Sequence, residues 1–323
     1  MRASTNPGGV GHGWVKNRFI DPAPPGTPIT ETSTIAKDGK TIEVKRTRVF
    51  IPSTIFDNKA LMDRNPEYVA SLAMLPQAER DALLYGSWES FSGQVFREWK
   101  NDPSHYKDRL WTHVIDDFMP PRHWHCWRGF DWGYAKPFSV GWYVADERGK
   151  IYRIREFYGC TDTPNTGVQM QAAEIAEWIR KIEREDDMLK GRDITGVADP
   201  SIFDVSRGES IADIMQRHPN YVTWLPADNA RISGKQQYHY RLAFDESGDP
   251  MFQVFKSCKH FIRTIPTLVY DDKHVEDVNT EQEDHIYDEC RYVLMESPIS
   301  PRKNALDEPI LFDPLDQFKK RRY

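Results

Sequence analysis

Residues 127–143 read WRGFDWGYAKPFSVGWY and place one acid at the end of an apolar segment. The residues that lead to Asp131 are aromatic and favour a β-strand, and Gly133 and Pro137 favour a turn. A second alternating run, Phe138 to Val144, follows the turn. The pattern predicts a hairpin that carries the Asp131 carboxylate at its rim. For an isolated Asp-x-Gly, the alternative is a turn aspartate that only accepts local backbone hydrogen bonds.

Two further acids occur in comparable settings downstream. Asp199 ends the run ITGVADP, which predicts a short strand stopped by Pro200. Asp288 lies in TEQEDHIYDECRYVLM, where Thr280 and Glu283 predict a capping box that opens a helix. One acid on each of two strands and a third on a late helix is the order found in ribonuclease H-like nucleases.

The predicted helix offers two acids for the third position. Asp284 and Asp288 lie one turn apart on the same face, together with Arg291, and the opposite face is apolar. Spacing alone leaves both acids open, either as a ligand or as a neighbouring contact.

The composition is that of a folded protein without a membrane-spanning segment. Of the 323 residues 39% are hydrophobic, and no run of 18 apolar residues occurs. The N-terminal sequence has no apolar core of a signal peptide, and the four cysteines are too dispersed for a C-x-x-C zinc or redox pair. We therefore expect no membrane association and a reducing cytoplasmic environment.

The formal net charge of −6 gives little guidance about a nucleic-acid partner. A metal-dependent nuclease gathers carboxylates in its site and offsets them with bound cations, so local basic patches matter more than the sum. The candidates for phosphate contacts are Arg231 with Lys235, and Lys319 to Arg322. Solvated surface charge is the alternative for each.

The order of predicted elements is that of a mixed α/β sheet. The run Lys150 to Gly159 predicts a third strand that completes an antiparallel meander. Asn165 to Leu189 has the apolar spacing of a helix and leads into the strand that ends at Asp199. Helices and strands then alternate. The expected fold class is α/β, with an antiparallel three-strand meander plus parallel strands flanked by helices.

Three segments are expected along the chain. Residues 1–100 begin rich in Pro and Gly and then predict helices, with Asn65 and Pro66 as cap and first-turn residues of one of them. Residues 101–297 hold the predicted sheet and the three acids. Residues 298–323 contain several prolines and end in KKRRY, which predicts a flexible tail.

A series of phrases along the chain carries a resemblance to a known family. These are STNPGG from Ser4, RVFIPSTIFDN, NPEYVASLAMLP and ERDALLYGSW between Arg48 and Trp88, FDWGYAKP from Phe130, ADPS from Ala198 and DHIYDECRY from Asp284. In this order they resemble the large subunit of tailed-bacteriophage terminases, the DNA-packaging motor proteins, over nearly the whole chain. In that family an ATPase domain precedes a ribonuclease H-like nuclease that cuts concatemeric DNA.

The resemblance assigns a role to each segment. It implies that residues 1–100 are the end of an ATPase domain and a helical linker, and that residues 101–297 are the nuclease domain. No G-x-x-x-x-G-K-S/T phosphate loop occurs in the chain. We therefore expect the C-terminal part of such a protein, without ATPase activity of its own.

The resemblance also implies the site residues. The family's three metal-binding, catalytic acids fall on Asp131, Asp199 and Asp288, and the D-x-x-R-Y ending favours Asp288 over Asp284. His285 takes the position of a site-lining histidine found in some members.

Three more residues match the family at positions outside the three acids and the histidine. Glu156, in REFYG, matches an acid on the third strand and is an expected outer ligand. Arg231 and Lys235 match a stretch near the DNA path and are expected DNA contacts.

The expected function is therefore a metal-dependent DNA endonuclease of a packaging terminase. The expected cofactors are two Mg²⁺ or Mn²⁺ ions about 3.5–4 Å apart, because carboxylate oxygens suit both metals. The expected partners are double-stranded DNA, the phage portal protein and the terminase small subunit, in the cytoplasm of the host cell. The alternatives are another ribonuclease H-like nuclease, such as a resolvase or transposase, and a DNA-binding or portal-docking module that does not cleave.

Overall fold

The computed structural model of the chain describes residues 3–7, 12–37, 40–75, 77–88, 93–206, 208–271, 274 and 276–300. The expected tail, 298–323 with its basic Lys319 to Arg322, lies outside the described residues from residue 301 onward. No helix in the described part of the chain is both long enough and apolar enough to cross a membrane.

A seven-stranded mixed sheet forms the centre of the molecule, and a separate two-stranded hairpin precedes it in the chain. The hairpin consists of β1 (Ile29–Lys37) and β2 (Lys40–Arg48). The sheet strands are β3 (Val114–Ile115), β4 (His125–Asp131), β5 (Ser139–Ala145), β6 (Ile151–Tyr158), β7 (Ile194–Ala198), β8 (Leu225–Pro226) and β9 (Phe252–Phe255). Their order across the sheet is β3-β9-β6-β5-β4-β7-β8.

The pairing within the sheet confirms the predicted fold class. Strands β4, β5 and β6 form an antiparallel meander, with Asp131 opposite Ser139 and Ser139 opposite Tyr158. Strand β7 pairs parallel to β4, and β9 pairs parallel to β6. A meander extended by parallel strands on both sides is the ribonuclease H-like arrangement expected from the sequence.

Helices cover both faces of the sheet. The described α-helices are α1 (His12–Val15), α2 (Lys59–Arg64), α3 (Pro66–Ala73), α4 (Gln77–Leu84), α5 (Ala172–Glu185), α6 (Ile211–Gln216), α7 (Arg231–Leu242), α8 (Lys259–Thr264) and α9 (His285–Glu296). Helix α5 covers one face, where the Trp142 indole donates to Glu183. Helix α9 covers the other, where Gly129 and Gly141 lie directly against Glu289.

The helix predicted from Asn165 to Leu189 is shorter than the apolar spacing indicated. It begins at Ala172, because Gln171 and Glu174 form a reciprocal capping box there. Asn165 has a φ of 58°, which is outside the right-handed helical region. The segment before Ala172 is therefore a loop.

The predicted start of the last helix at Thr280 is also wrong. Helix α9 begins at His285, with Asp284 as its N-cap residue. Glu283 does not serve a capping box, because its carboxylate is held by Arg263 and by the Tyr158 hydroxyl at 3.0 Å. The Glu283 side chain therefore forms a tertiary ion pair with Arg263 instead of the helix cap that the local sequence predicted.

The helix start predicted at Asn65 is confirmed. The Asn65 side chain accepts from the Tyr68 backbone N–H at 3.2 Å, and Pro66 is the first helical residue. Further along, Phe96 is fully buried and its ring lies against Tyr238 at a centroid distance of 4.8 Å. The predicted division into 1–100 and 101–297 stays a prediction.

Candidate active site

The two strand acids lie side by side at one edge of the sheet. Strands β4 and β7 are parallel and pair Phe130 with Ala198, so Asp131 and Asp199 follow at the same level. The Asp199 backbone N–H donates to the Phe130 carbonyl at 3.2 Å and fixes this register. The carboxyl edge of parallel strands is where ligand sites form in open α/β sheets.

One stripe of helix α9 meets both strand acids. His285, Asp288 and Tyr292 are spaced by three and four residues and therefore share a face of the helix. The His285 Nδ1 lies 3.2 Å from Asp131 Oδ2, and the Tyr292 hydroxyl donates to Asp199 Oδ2 at 2.6 Å. Asp288 lies between these contacts, so the structure brings the three predicted acids to one edge.

Two arginines hold Asp288. The Arg231 guanidinium donates to both Asp288 oxygens, at 3.1 and 3.0 Å, and its Nε donates to Asp277 at 2.7 Å. Arg291 adds a bond from Nε to Asp288 Oδ1 at 3.1 Å. Asp284 is further from Arg231, with 3.9 Å between Oδ2 and the nearest nitrogen. The two arginine side chains thus place their positive charge next to Asp288.

The negative charges of Asp131 and Asp284 are less well balanced by nearby positive charge than that of Asp288. Burial raises the pKa of Asp131 to about 7, and the negative charges of Asp288 and Asp199 add to the effect against the His285 contact. Burial likewise raises the pKa of Asp284 to about 7, with Asp288 as the next cause. Additional positive charge nearby would stabilise the ionised form of both carboxyls.

The pKa values of Asp199 and His285 are shifted in the direction that favours the charged form of each side chain. Burial opposes ionisation of Asp199, but hydrogen bonds from Tyr292 and Ser201 outweigh it and lower the pKa of the carboxyl. Burial also opposes protonation of His285, and the contact with Asp131 outweighs it, so the pKa of the imidazole is raised. The site combines ionised and partly neutralised groups within one cluster.

A buried ion pair fixes α9 behind the site. Glu289 is completely buried and accepts from Arg153 at 2.7 Å, from Tyr143 at 2.8 Å and from Ser139 at 3.1 Å. A Cβ atom at Gly129 would lie 2.4 Å from the Glu289 carboxylate, so only glycine leaves room for it. This pair sets the height of α9 over β4 and therefore the position of Asp288 relative to Asp131.

The acids form a suitable donor set for a hard cation without forming a finished metal site. Among the described residues, no three His, Cys, Asp or Glu side chains are already arranged to hold an ion. Carboxylate oxygens are the ligands that Mg²⁺ and Mn²⁺ prefer. Burial, with the nearby charges of Asp288 and Asp199, raises the pKa of Asp131, and a cation between these carboxylates would stabilise their ionised forms. The residues present therefore fit a divalent metal.

The structure places the other predicted site residues in different surroundings. Glu156 accepts the backbone N–H groups of His260 and Phe261, at 2.7 and 3.1 Å, and so holds the start of α8. The Lys235 amine is buried, contacts the Glu276 carbonyl and lies 4.8 Å from the Tyr270 ring centroid. The expected outer-ligand role of Glu156 and the expected DNA contact of Lys235 stay predictions.

The Arg231 guanidinium binds Asp277 and Asp288, and its expected contact with DNA likewise stays a prediction. Two further residues of the cluster were missed. Tyr292 could have been found, because it lies seven residues after His285 and hence on the same helical face. Asn165, which contacts His285 Nε2 at 3.1 Å, had no such signal because it belongs to a loop.

The fold and the site together define a class: a ribonuclease H-like mixed sheet with an acidic cluster at the carboxyl edge of its central parallel pair. No protein-family model and no curated protein matches the chain. Solved structures do show similarity, among them large terminases of bacteriophages.

The similar structures differ in how much of each chain they share with this one. The large terminase of a thermophilic bacteriophage, in complex with ADP, has 19% identity and a TM-score of 0.46 over 90% of this chain and 60% of its own. The P22 large terminase nuclease domain has 16% identity and a TM-score of 0.45, over 64% and 92%.

A third similar structure is the large terminase nuclease from thermophilic phage G20c with bound cobalt, at 12% identity and a TM-score of 0.37, over 63% of this chain and 97% of its own. The chain thus spans about 60% of the length of the ADP-bound terminase. At these identities and TM-scores, the function of the chain has to be argued from its own side chains.

Proposed function

We propose that the chain is a metal-dependent DNA endonuclease with Asp131, Asp199 and Asp288 as its catalytic, metal-binding acids. One observation carries the proposal: a parallel strand pair and one face of α9 bring these acids to the same edge of the sheet. Structural acids in a protein core are normally paired one to one with cations. Among the described residues, Asp131 has the His285 imidazole as its cationic partner, and the carboxylates of Asp288 and Asp199 lie nearby.

Phosphodiester hydrolysis defines what the site has to supply. A pair of Mg²⁺ or Mn²⁺ ions, when bound, supplies Lewis acidity, an activated water and a counter-charge for the leaving oxygen. Asp131 and Asp199 offer carboxylate oxygens from two rigid strands, and Asp288 offers a third pair from α9. Residues on strands and helices hold such groups more precisely than residues on loops do.

The neighbours of the acids position them. The Tyr292 hydroxyl and the Ser201 N–H, at 2.6 Å each, bind different oxygens of Asp199 and hold its carboxylate in one orientation. Arg231 and Arg291 orient Asp288 in the same way. His285 Nδ1 faces Asp131 and can hold a proton at that atom.

The packaging context extends this proposal. We take the substrate to be double-stranded viral DNA, and the portal protein and the terminase small subunit to be partners, in the host cytoplasm during phage assembly. The resemblance noted in the sequence supports this context. Of the alternatives, a resolvase or transposase uses the same acids, and a module that does not cleave would need no cation at all.

The test is nicking of supercoiled plasmid in Mn²⁺ or Mg²⁺. Wild type should nick, and Asp131→Asn, Asp199→Asn and Asp288→Asn should each lose nicking, because each removes one carboxylate charge without changing shape. Asp284→Asn should keep part of it if Asp288 is the third ligand.

The matched control is Asp187→Asn, on an exposed aspartate between the end of α5 and the start of β7. This variant should nick at the wild-type rate. Wild type without nicking activity in either metal would contradict the proposal and favour the module that does not cleave.

A further inference from the structure

The loop between β6 and α5 is tied to the turn that follows Asp131. Within the loop the Thr161 N–H donates to the Thr166 carbonyl at 2.8 Å, and the Gly167 N–H donates to the Ala135 carbonyl at 2.8 Å. A Cβ atom at Gly167 would lie 2.4 Å from two carbonyl oxygens of the turn, so the backbones approach closely. The loop has a defined position beside the acids.

Asn165 projects from this loop into the acidic cluster, and its amide has one consistent orientation. The Nδ2 group donates to the Glu281 carbonyl at 3.1 Å, and Oδ1 lies 3.1 Å from His285 Nε2. Turning the amide over would set Oδ1 against the Glu281 carbonyl oxygen, and two acceptors facing each other are unfavourable. The Glu281 carbonyl therefore fixes which atom of Asn165 meets the histidine.

This orientation fixes the histidine as well. Oδ1 can only accept a hydrogen bond, so His285 Nε2 must carry a hydrogen and donate it. The other ring nitrogen, Nδ1, is then the one that faces Asp131 Oδ2 at 3.2 Å. Asn165 thus sets both the rotation of the ring and the nitrogen that is presented to the acids.

We propose that Asn165 is a positioning residue that holds His285 Nδ1 toward Asp131 at the cation site. The inference rests on the proposed function and deepens it, because it assigns a supporting partner to a residue of the same site. Partners that hydrogen-bond a metal ligand typically contribute about 10–100-fold to metal affinity or activity, and Asn165 acts on the proposed ligand Asp131 through such a partner, His285.

The backbone conformation at Asn165 allows the side chain to be removed without straining the loop. Its φ of 58° is a conformation that glycine adopts without strain, so Asn165→Gly removes the amide and keeps the loop. Gln169 is the matched control, since it lies in the same loop, is exposed and has a φ of 59°.

The first measurement is the His285 Nε2–H proton in the NMR spectrum of the protein without metal, assigned by its absence in His285→Gln. Wild type and Gln169→Gly should show a hydrogen-bonded ring proton, and Asn165→Gly should lose it to exchange with water. The second measurement is Mn²⁺ affinity by calorimetry, where Asn165→Gly should bind about 10–100-fold more weakly than wild type and Gln169→Gly should match wild type.

A ring proton that persists in Asn165→Gly, or an unchanged Mn²⁺ affinity in that variant, would overturn the inference. Failure of the proposed function is a different result, because it would appear as wild type that does not nick plasmid. The ring proton is read without metal and without DNA, so it decides the positioning role separately.

Discussion

Asp288 and Glu289 are neighbours on α9, yet they belong to two regions with opposite electrostatics. Glu289 is completely buried with Arg153, and hydroxyls of Tyr143 and Ser139 satisfy the carboxylate further. Asp288 lies at the sheet edge, where its two arginines face a cluster of several carboxylates. The buried region is balanced, whereas the edge has more acids than cations close to them.

The difference separates a structural charge from a functional one. A buried charge persists only with a partner of good geometry, so Glu289 and Arg153 depend on each other for the fold. At the edge, repulsion between the carboxylates lowers the stability of the folded protein, and yet the carboxylates lie close together there. Uncompensated charge at the carboxyl edge of a sheet is a feature of sites that bind cations.

The largest effect should come from breaking the buried pair. Glu289→Ala leaves Arg153 buried without its carboxylate and should destabilise the protein by about 3–5 kcal/mol in urea unfolding. Glu177→Ala, on the exposed face of α5, is the control and should stay within about 0.5 kcal/mol of wild type. A loss below about 1 kcal/mol in Glu289→Ala would mean that the pair does not fix α9.

A smaller loss should follow removal of a cation at the edge. Arg231→Ala takes away charged hydrogen bonds to Asp277 and Asp288, and Arg291 and water replace them in part. We expect a loss of about 1–2 kcal/mol without divalent metal, and a partial recovery when Mn²⁺ is added. Arg231→Lys keeps the charge and should lose less. Equal losses in the two variants would show that the positive charge alone contributes nothing and that the forked guanidinium hydrogen bonds are required.

A third effect is a dependence of stability on pH. The folded-state pKa of Asp131 is about 7, above its ordinary value of 3.8, so the folded state holds more protons than the unfolded state between these values. Stability without metal should therefore fall as the pH rises from about 4 to 7.

The variant Asp131→Asn checks the sign of this dependence. It should flatten the slope, and at pH 8 it should be more stable than wild type by about 1 kcal/mol or more, since one pKa unit corresponds to about 1.4 kcal/mol. A steeper slope in Asp131→Asn, seen by thermal melting across that range, would contradict the sign.

Much of the fold was predictable because it depends on local patterns. Alternation and turn residues predicted the meander around Asp131, and a Pro at the end of a β-branched run predicted the strand before Asp199. Helix boundaries were less predictable, because tertiary contacts decided them. Glu283 pairs with Arg263 and leaves the predicted cap, and α9 starts at His285 instead of Thr280.

The residues of the candidate site were likewise predictable where they belong to a local pattern and not predictable where they depend on tertiary contacts. The three acids could be named because each ends or occupies a recognisable element. The Arg231 contacts with Asp277 and Asp288 join positions 46 and 57 residues away, and the loop residue Asn165 reaches His285 across 120 residues. Sequence spacing carries no information on contacts of this kind. The pattern of charges along a sequence likewise cannot show that Lys235 is buried.

The central claim is that a cation completes the acidic edge, and thermal melting with and without Mn²⁺ tests it most directly. A ligand that binds only the folded state adds about 2.7 kcal/mol at a hundredfold excess over Kd. Mn²⁺ should raise the Tm of wild type and of Asp187→Asn, whereas Asp131→Asn and Asp199→Asn should lose the shift. An equal rise in wild type and Asp131→Asn, or no rise in wild type at millimolar Mn²⁺, would contradict the claim.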